Sequence, residues 1–277
     1  MKDIIIDSLI DTFKLLPYLF ITFVILELIE HKLSNKNEKL LTKNKKLGPL
    51  FGGVLGALPQ CGFSAMASNL FSARVITMGS LIAVFLSTSD EMLPIMLSEK
   101  VNPLSLLERV GFKIIIGITI GFLIDLIYRK EEHIIISENC EKEHCSCNEE
   151  GIFLSSIIHT LKVGLFILIA NLLIGFIIFE IGEDKLSSIL LTKNVLTYFT
   201  ASLIGLIPNC ASSVIITEMY LGGLITIGTL LSGLLTGSGL GILLLFRTNK
   251  NLKENILILS IIYFIGVIVG LIIDLLI

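Results

Sequence analysis

The chain has 277 residues, 53% of them hydrophobic and only 16% charged, and it contains no Trp. A soluble domain carries about 25% charged residues, so this composition excludes an ordinary soluble domain and reads as a polytopic α-helical membrane protein. A net charge of −3 excludes little, because membrane orientation depends on where Lys and Arg lie and not on their sum.

The opening Met1-Lys2-Asp3 lacks a long basic region and a small-residue cleavage site, so no removable signal peptide is expected. Residues 9–30 read as a first apolar helix with Pro17 inside it, followed by a polar stretch from His31 to Lys46 with six Lys. That stretch is the clearest cytoplasmic signal in the chain. Leu47 to Leu58 is apolar but short, about 18 Å as helix, against a hydrocarbon core of roughly 30 Å. Pro59 then removes a backbone donor and disfavours helix at its predecessor. A second short segment runs from Phe63 to Ala73, and spans are expected over 78–98 and 105–127. Residues 128–150 are hydrophilic and read as a linker between a first transmembrane repeat, 1–127, and a second, 151–277. The second repeat reads as a span over 153–179, a polar turn from Glu180 to Lys193, a broken pair around Pro208, and spans over 226–246 and 256–276.

The two parts are copies. Gly56-Ala57-Leu58-Pro59-Gln60-Cys61-Gly62-Phe63-Ser64 is answered by Gly205-Leu206-Ile207-Pro208-Asn209-Cys210-Ala211-Ser212-Ser213 at a constant offset of 149 residues. The same offset pairs Gly79 with Gly228, Ser89 with Ser238, and Gly117, Gly121 and Asp125 with Gly266, Gly270 and Asp274. The first helices align one residue out of register, Thr12 with Thr160 and Lys14 with Lys162. Broken apolar segments at matching positions of two halves point to a transporter's binding site. If each broken segment folds back at its Pro, the halves are inverted and the two breaks meet near mid-membrane. If each passes straight through, the halves are parallel. Inversion is favoured, because non-helical backbone at that depth must be buried in protein or line a water-filled cavity.

Several residue types could carry chemistry there. Asp90 and Glu91 lie within Ser87-Thr88-Ser89-Asp90-Glu91-Met92-Leu93-Pro94. A carboxylate at mid-depth costs about 2.5–3.5 kcal/mol on the insertion scale, so it should face a partner or a cavity. Pro94 would free the Asp90 carbonyl of a continuous helix. The second copy offers Ser238 and the helix-breaking Gly237 and Gly239 but no acid. Gln60 and Asn209 supply amide oxygens, and Cys61 and Cys210 soft thiols, as metal ligands. Each Cys also reads as a small buried hydrophobe. In the linker Cys140, His144, Cys145 and Cys147 could complete a four-ligand Zn-like site, with a solvated acidic linker as the alternative reading. Asp125 and Asp274 follow Gly-x-x-x-Gly spacings that favour close helix packing, and they read as structural. No His lies mid-span to activate Ser or Cys, so an enzyme is not expected.

The motifs Leu58-Pro59-Gln60-Cys61-Gly62-Phe63-Ser64, Ser87-Thr88-Ser89-Asp90-Glu91, Ile207-Pro208-Asn209-Cys210-Ala211-Ser212-Ser213 and Gly237-Ser238-Gly239-Leu240-Gly241 resemble the bacterial ten-span heavy-metal exporter family. Its members are often labelled manganese transporters or arsenic efflux proteins. The resemblance covers nearly the whole chain and extends to a Cys- or His-bearing linker. It implies ten spans, a multi-pass protein of the bacterial cytoplasmic membrane, and outward transport.

The resulting expectation is a secondary transporter that exports a divalent heavy-metal or manganese cation, with proton exchange as the natural coupling. The expected ligands are Asp90 and Glu91, with oxygens from Gln60, Asn209, Ser87, Ser89 and Ser238 and sulfur from Cys61 and Cys210. No cofactor is expected beyond the transported ion and a metal at the linker. The expected partners are the lipid bilayer and the cation, with no nucleic acid and a homo-oligomer left open. The rival substrate is arsenite, an organoarsenical or another oxyanion, held by half-helix N-termini. Against it, no basic residue is expected near mid-depth. A metal sensor built on the 140–147 loop, or an intramembrane enzyme, is the rival of another class.

Overall fold

The computed structural model describes residues 47–58, 61–89, 92–128, 152–181, 190 and 195–276, with separate positions between 6 and 24. Side chains at 61, 152–155, 159 and 177–181 are outside that description. The regular structure of the described residues is helical, with no strand among them. Helical positions between 6 and 24 come first, and helices then follow in chain order. They are α1 (Gly48–Gly56), α2 (Cys61–Ser72), α3 (Met78–Ser87), α4 (Met92–Ser98), α5 (Pro103–Ile127) and α6 (Ile152–Ile181). The series continues with α7 (Leu196–Gly205), α8 (Cys210–Leu221), α9 (Ile227–Thr236), α10 (Gly241–Thr248) and α11 (Leu252–Leu276).

By length and composition five stretches among the described residues can cross a membrane: Met78–Ser98, Pro103–Ile127, Ser156–Phe176, Ile227–Thr248 and Leu252–Leu276. The fold is therefore an all-α polytopic membrane protein. Two of those stretches are not single helices. Met78–Ser98 is α3 and α4 with a gap after Ser87, and Ile227–Thr248 is α9 and α10 with a gap after Thr236. This corrects the expectation of a continuous helix over 78–98 in which Pro94 frees a carbonyl. Pro94 sits in the first turn of α4, where a missing N–H costs no intrahelical bond.

The offset of 149 residues reappears in the helix bounds. It carries α2 onto α8, α3 onto α9 and α5 onto α11 at both ends, and the starts of α4 and the ends of α1 onto those of α10 and α7. The earlier helices keep their shift of one: Thr12 Oγ1 donates to the Ser8 carbonyl at 2.7 Å, and Thr160 Oγ1 to the Ser156 carbonyl at 2.7 Å.

Each half is closed by one device used twice. Thr77 and Thr226 are extended N-cap residues whose side chains accept the amides of Ser80 and Thr229. Such a cap satisfies one of the orphan donors at a helix start. Asp125, from the last turn of α5, accepts the Gly79 amide at 2.8 Å and the Thr77 hydroxyl at 2.7 Å. Asp274, from the last turn of α11, accepts the Gly228 amide at 2.8 Å, the Thr226 hydroxyl and the Tyr198 hydroxyl. The two carboxylates thus serve separate caps, as their structural reading expected. They reach the caps because the backbones touch: a Cβ at Gly79 would lie 2.1 Å from the Gly121 carbonyl, and one at Gly228 2.3 Å from the Gly270 carbonyl. Close approach through small residues is how helices associate where lipid removes the hydrophobic drive between them.

The halves interlock. The second fragment of each broken stretch packs against the other half: α10 on α2, and α4 on α8. Accordingly Met92 and Met96 of α4 are fully buried among Ala201, Ile216, Leu230 and Leu234. Leu235, Ile242 and Leu245 are buried with Phe71, Leu81 and Phe85. Ser64 lies against Gly241, and Ser72 Oγ lies 2.6 Å from Thr248 Oγ1, so α2 and α10 run side by side in the same direction. A tight turn after α2 places Arg74 at φ 60°; its repeat mate, Gly223, has φ 71°. Arg74 holds Glu254 at the start of α11 with two bonds of 3.1 and 2.8 Å.

Candidate functional site where the broken helices meet

The four repeat motifs supply two kinds of helix interruption. The first lies between α7 and α8, where Leu206, Ile207, Pro208 and Asn209 are non-helical. The expected break at Pro208 is there. Asn209 has extended backbone, with φ −147°, and its side-chain oxygen accepts the Ala211 amide at 2.8 Å. It therefore caps α8, which commits one lone pair of the oxygen expected to be a ligand. Cys210 begins α8 with a half-buried thiol. In the first half α1 ends at Gly56 and α2 begins at Cys61, while Pro59 and Gln60 lie outside the described residues, as does the Cys61 side chain.

The second interruption follows α3 and α9. Each helix end leaves backbone carbonyls without intrahelical partners, and hydroxyls gather at these ends. Ser87 Oγ turns back onto the carbonyls of Ala83 and Val84 at 2.8 and 3.1 Å, and Thr88 Oγ1 onto Val84 at 2.8 Å. Ser89 Oγ donates to the Ser87 carbonyl at 3.1 Å. In the second half Thr236 Oγ1 donates to the Ser202 carbonyl at 2.9 Å, joining α9 to α7. Gly239 has φ 54°, the left-handed region that glycine enters without a Cβ penalty, and so the chain can turn before α10. Gly237 needs no such freedom, with φ −72°. Ser238 is 1% exposed, and its hydroxyl has no hydrogen-bond partner among the described residues. A buried unsatisfied donor of this kind is uncommon and calls for an explanation.

Lys113 connects the interruptions. It lies on α5, about 15 Å from the helix start, and is 0% exposed. Its Nζ donates to the Thr88 carbonyl at the first gap and to the Leu234 carbonyl, at 2.9 Å, in the last turn of α9. One ammonium thus binds the end of a broken helix from each half. The expectation that no basic residue stands near mid-depth is overturned. The sequence reading overlooks Lys113, although a lone Lys in the middle of a long apolar run is itself the signal. Its repeat mate is Ile262, so the feature is not duplicated.

The Pro-containing motifs also come to the gaps. Ser64, which closes the first motif, packs against Gly241, the first residue of α10. Ser68, one turn on, donates to the Gly241 carbonyl at 2.7 Å. A Cβ on Gly237 would stand 3.4 Å from Ser213 Oγ, the end of the second motif. Hydroxyls, backbone carbonyls and an ammonium from both halves therefore gather around the ends of α3 and α9 and the start of α10. Of the residues expected as ligands, Ser87, Ser89 and Ser238 are buried at these gaps. Asp90 and Glu91, which follow Ser89 in the chain, lie outside the described residues, as do Cys140, His144, Cys145 and Cys147. Among the described residues, no three His, Cys, Asp or Glu side chains come together in a way that could hold a metal ion.

Comparison with known proteins places this architecture. No curated protein and no solved structure matches the chain. A protein family described as "Putative, 10TM heavy-metal exporter" matches residues 1–184, about two thirds of the length. With that match and the all-helical, membrane-spanning fold, the chain belongs to the family of ten-span heavy-metal exporters.

Proposed function

We propose that the protein is a secondary transporter that exports a divalent heavy-metal or manganese cation through a site at the paired gaps after α3 and α9. The observation that carries this reading is the convergence of both gaps on one buried point, with main-chain carbonyls and hydroxyls from each half. Unwound carbonyls and helix C-terminal ends are the groups that hold cations in transporters built from repeats. Asp90 and Glu91 follow directly in the chain and would add the charge, and Gln60, Asn209, Cys61 and Cys210 further ligands. A proton exchanged at a carboxylate is the proposed coupling, since burial favours the neutral acid.

The halves are proposed to be inverted, and the packing supports this. The α2 helix runs with α10, and a tight turn reverses the chain between α2 and α3. If α10 continues the direction of α9, then α3 and α9 enter from opposite sides and end together at Lys113. The linker Cys140, His144, Cys145 and Cys147 is proposed as an accessory metal site, and the bacterial cytoplasmic membrane as the location.

The test is flux into proteoliposomes with Mn, Zn, Fe, Co, Cd and arsenite side by side, for wild type and Asp90→Asn. Saturable cation flux that Asp90→Asn abolishes, without loss of folded protein, is the expected result. Unchanged cation flux in that variant removes Asp90 from the site. The second reading, an arsenic oxyanion or organoarsenical as substrate, gains from Lys113, whose ammonium would attract an anion. Arsenite flux with no cation flux would decide for it.

A further inference from the structure

Lys113 makes contacts of the kind a bound cation makes. Its ammonium is fully buried, and it is held by one main-chain carbonyl from each half, Thr88 and Leu234. Both oxygens belong to helix ends, where carbonyls lack intrahelical partners and can accept an external positive charge. A charged side chain at such depth is rare and marks a substrate or ion path by default. The second gap also keeps the buried Ser238 hydroxyl, an oxygen that no described residue engages. Purely structural bridging would favour a group that stays put; a Lys instead hangs on a flexible four-carbon stem and can be withdrawn.

We propose that the Lys113 ammonium is a tethered competitor: it fills the carbonyl site between the two gaps when no substrate is bound, and the transported cation displaces it. The inference rests on the cation site proposed above. It gives the empty carrier a neutralised, closed centre and makes substrate entry and lysine withdrawal a single exchange. The apparent dissociation constant then rises with the fraction of molecules in which the lysine holds the site, as the intrinsic constant divided by the remainder. If that fraction is nine in ten, removing the ammonium tightens binding about tenfold.

The experiment is equilibrium binding of Mn2+, Zn2+ and Cd2+, each alone, to the purified full chain, comparing wild type, Lys113→Met and Lys113→Ala. Thermal unfolding checks each variant, and if Lys113→Met does not fold, the Lys113→Ala arm carries the comparison. The expected result is tighter binding of at least one ion in Lys113→Met. In Lys113→Ala, added methylammonium should compete with that ion, whereas in wild type it should not. Unchanged or weaker ion binding in a folded variant, with no competition by methylammonium, overturns the inference and leaves the transporter reading intact. Absence of binding for all three ions, in wild type and variants alike, instead removes the cation site itself and the inference with it.

Discussion

Three glycines that look alike in the sequence should respond very differently to one added methyl group. A Cβ on Gly79 would meet the Gly121 carbonyl at 2.1 Å and the Asp125 carboxylate at 2.5 Å. On Gly228 it would meet the Gly270 carbonyl at 2.3 Å and the Asp274 carboxylate at 2.4 Å. On Gly111 it would meet nothing within 4 Å. At the first two positions the obstacle is backbone, which cannot swing aside, so α3 must part from α5, or α9 from α11. Overpacking of this kind costs about 1–3 kcal/mol. The same displacement pulls the carboxylate from its cap, and hydrogen bonds to a charged group are worth about 1.5–3 kcal/mol. Gly79→Ala and Gly228→Ala should therefore each destabilise by about 2.5–6 kcal/mol. Gly111→Ala should be neutral or stabilising by up to about 1 kcal/mol, because it only removes unfolded-state freedom in a helix. Thermal unfolding of the three purified variants in one detergent provides the comparison. Equal unfolding temperatures for Gly79→Ala and Gly111→Ala would refute the close contact between α3 and α5.

The remaining predictions concern the ends of the helices. Asp125→Asn and Asp274→Asn should each lose about 1–2 kcal/mol, the range of a lost cap, while the ion preference of transport stays unchanged. A shift in ion preference, measured as relative flux in proteoliposomes, would make them substrate ligands after all. Arg74→Gln should lower stability by about 1–3 kcal/mol, because the Glu254 carboxylate, only 14% exposed, then keeps a poorer partner. If Glu254→Gln in the same background costs as much again, the two side chains act independently and the bidentate pair does not couple α2 to α11.

What the sequence determined by itself follows from local rules. Low charge and long apolar runs dictate membrane helices, since lipid offers backbone groups no other partner. The offset of 149 residues announced two copies of one unit, and Pro208 announced a helix stop, because a missing donor acts on its own neighbours. Asp125 and Asp274 were legible as structural from the Gly-x-x-x-Gly spacing that precedes them. The gap after Ser87 was not legible, as α3 and α4 have the hydropathy of one span and nothing in Thr88 or Ser89 forbids helix. It depends on α4 being taken into the core of the other half, beside Ala201 and Ile216. Lys113 is the sharper case. The sequence shows only a basic residue in an apolar run, and its meaning lies in carbonyls 25 and 121 residues away. Only tertiary packing could bring the ends of two broken helices to one ammonium, because that meeting is made by contacts between halves and not by any preference of the residues themselves.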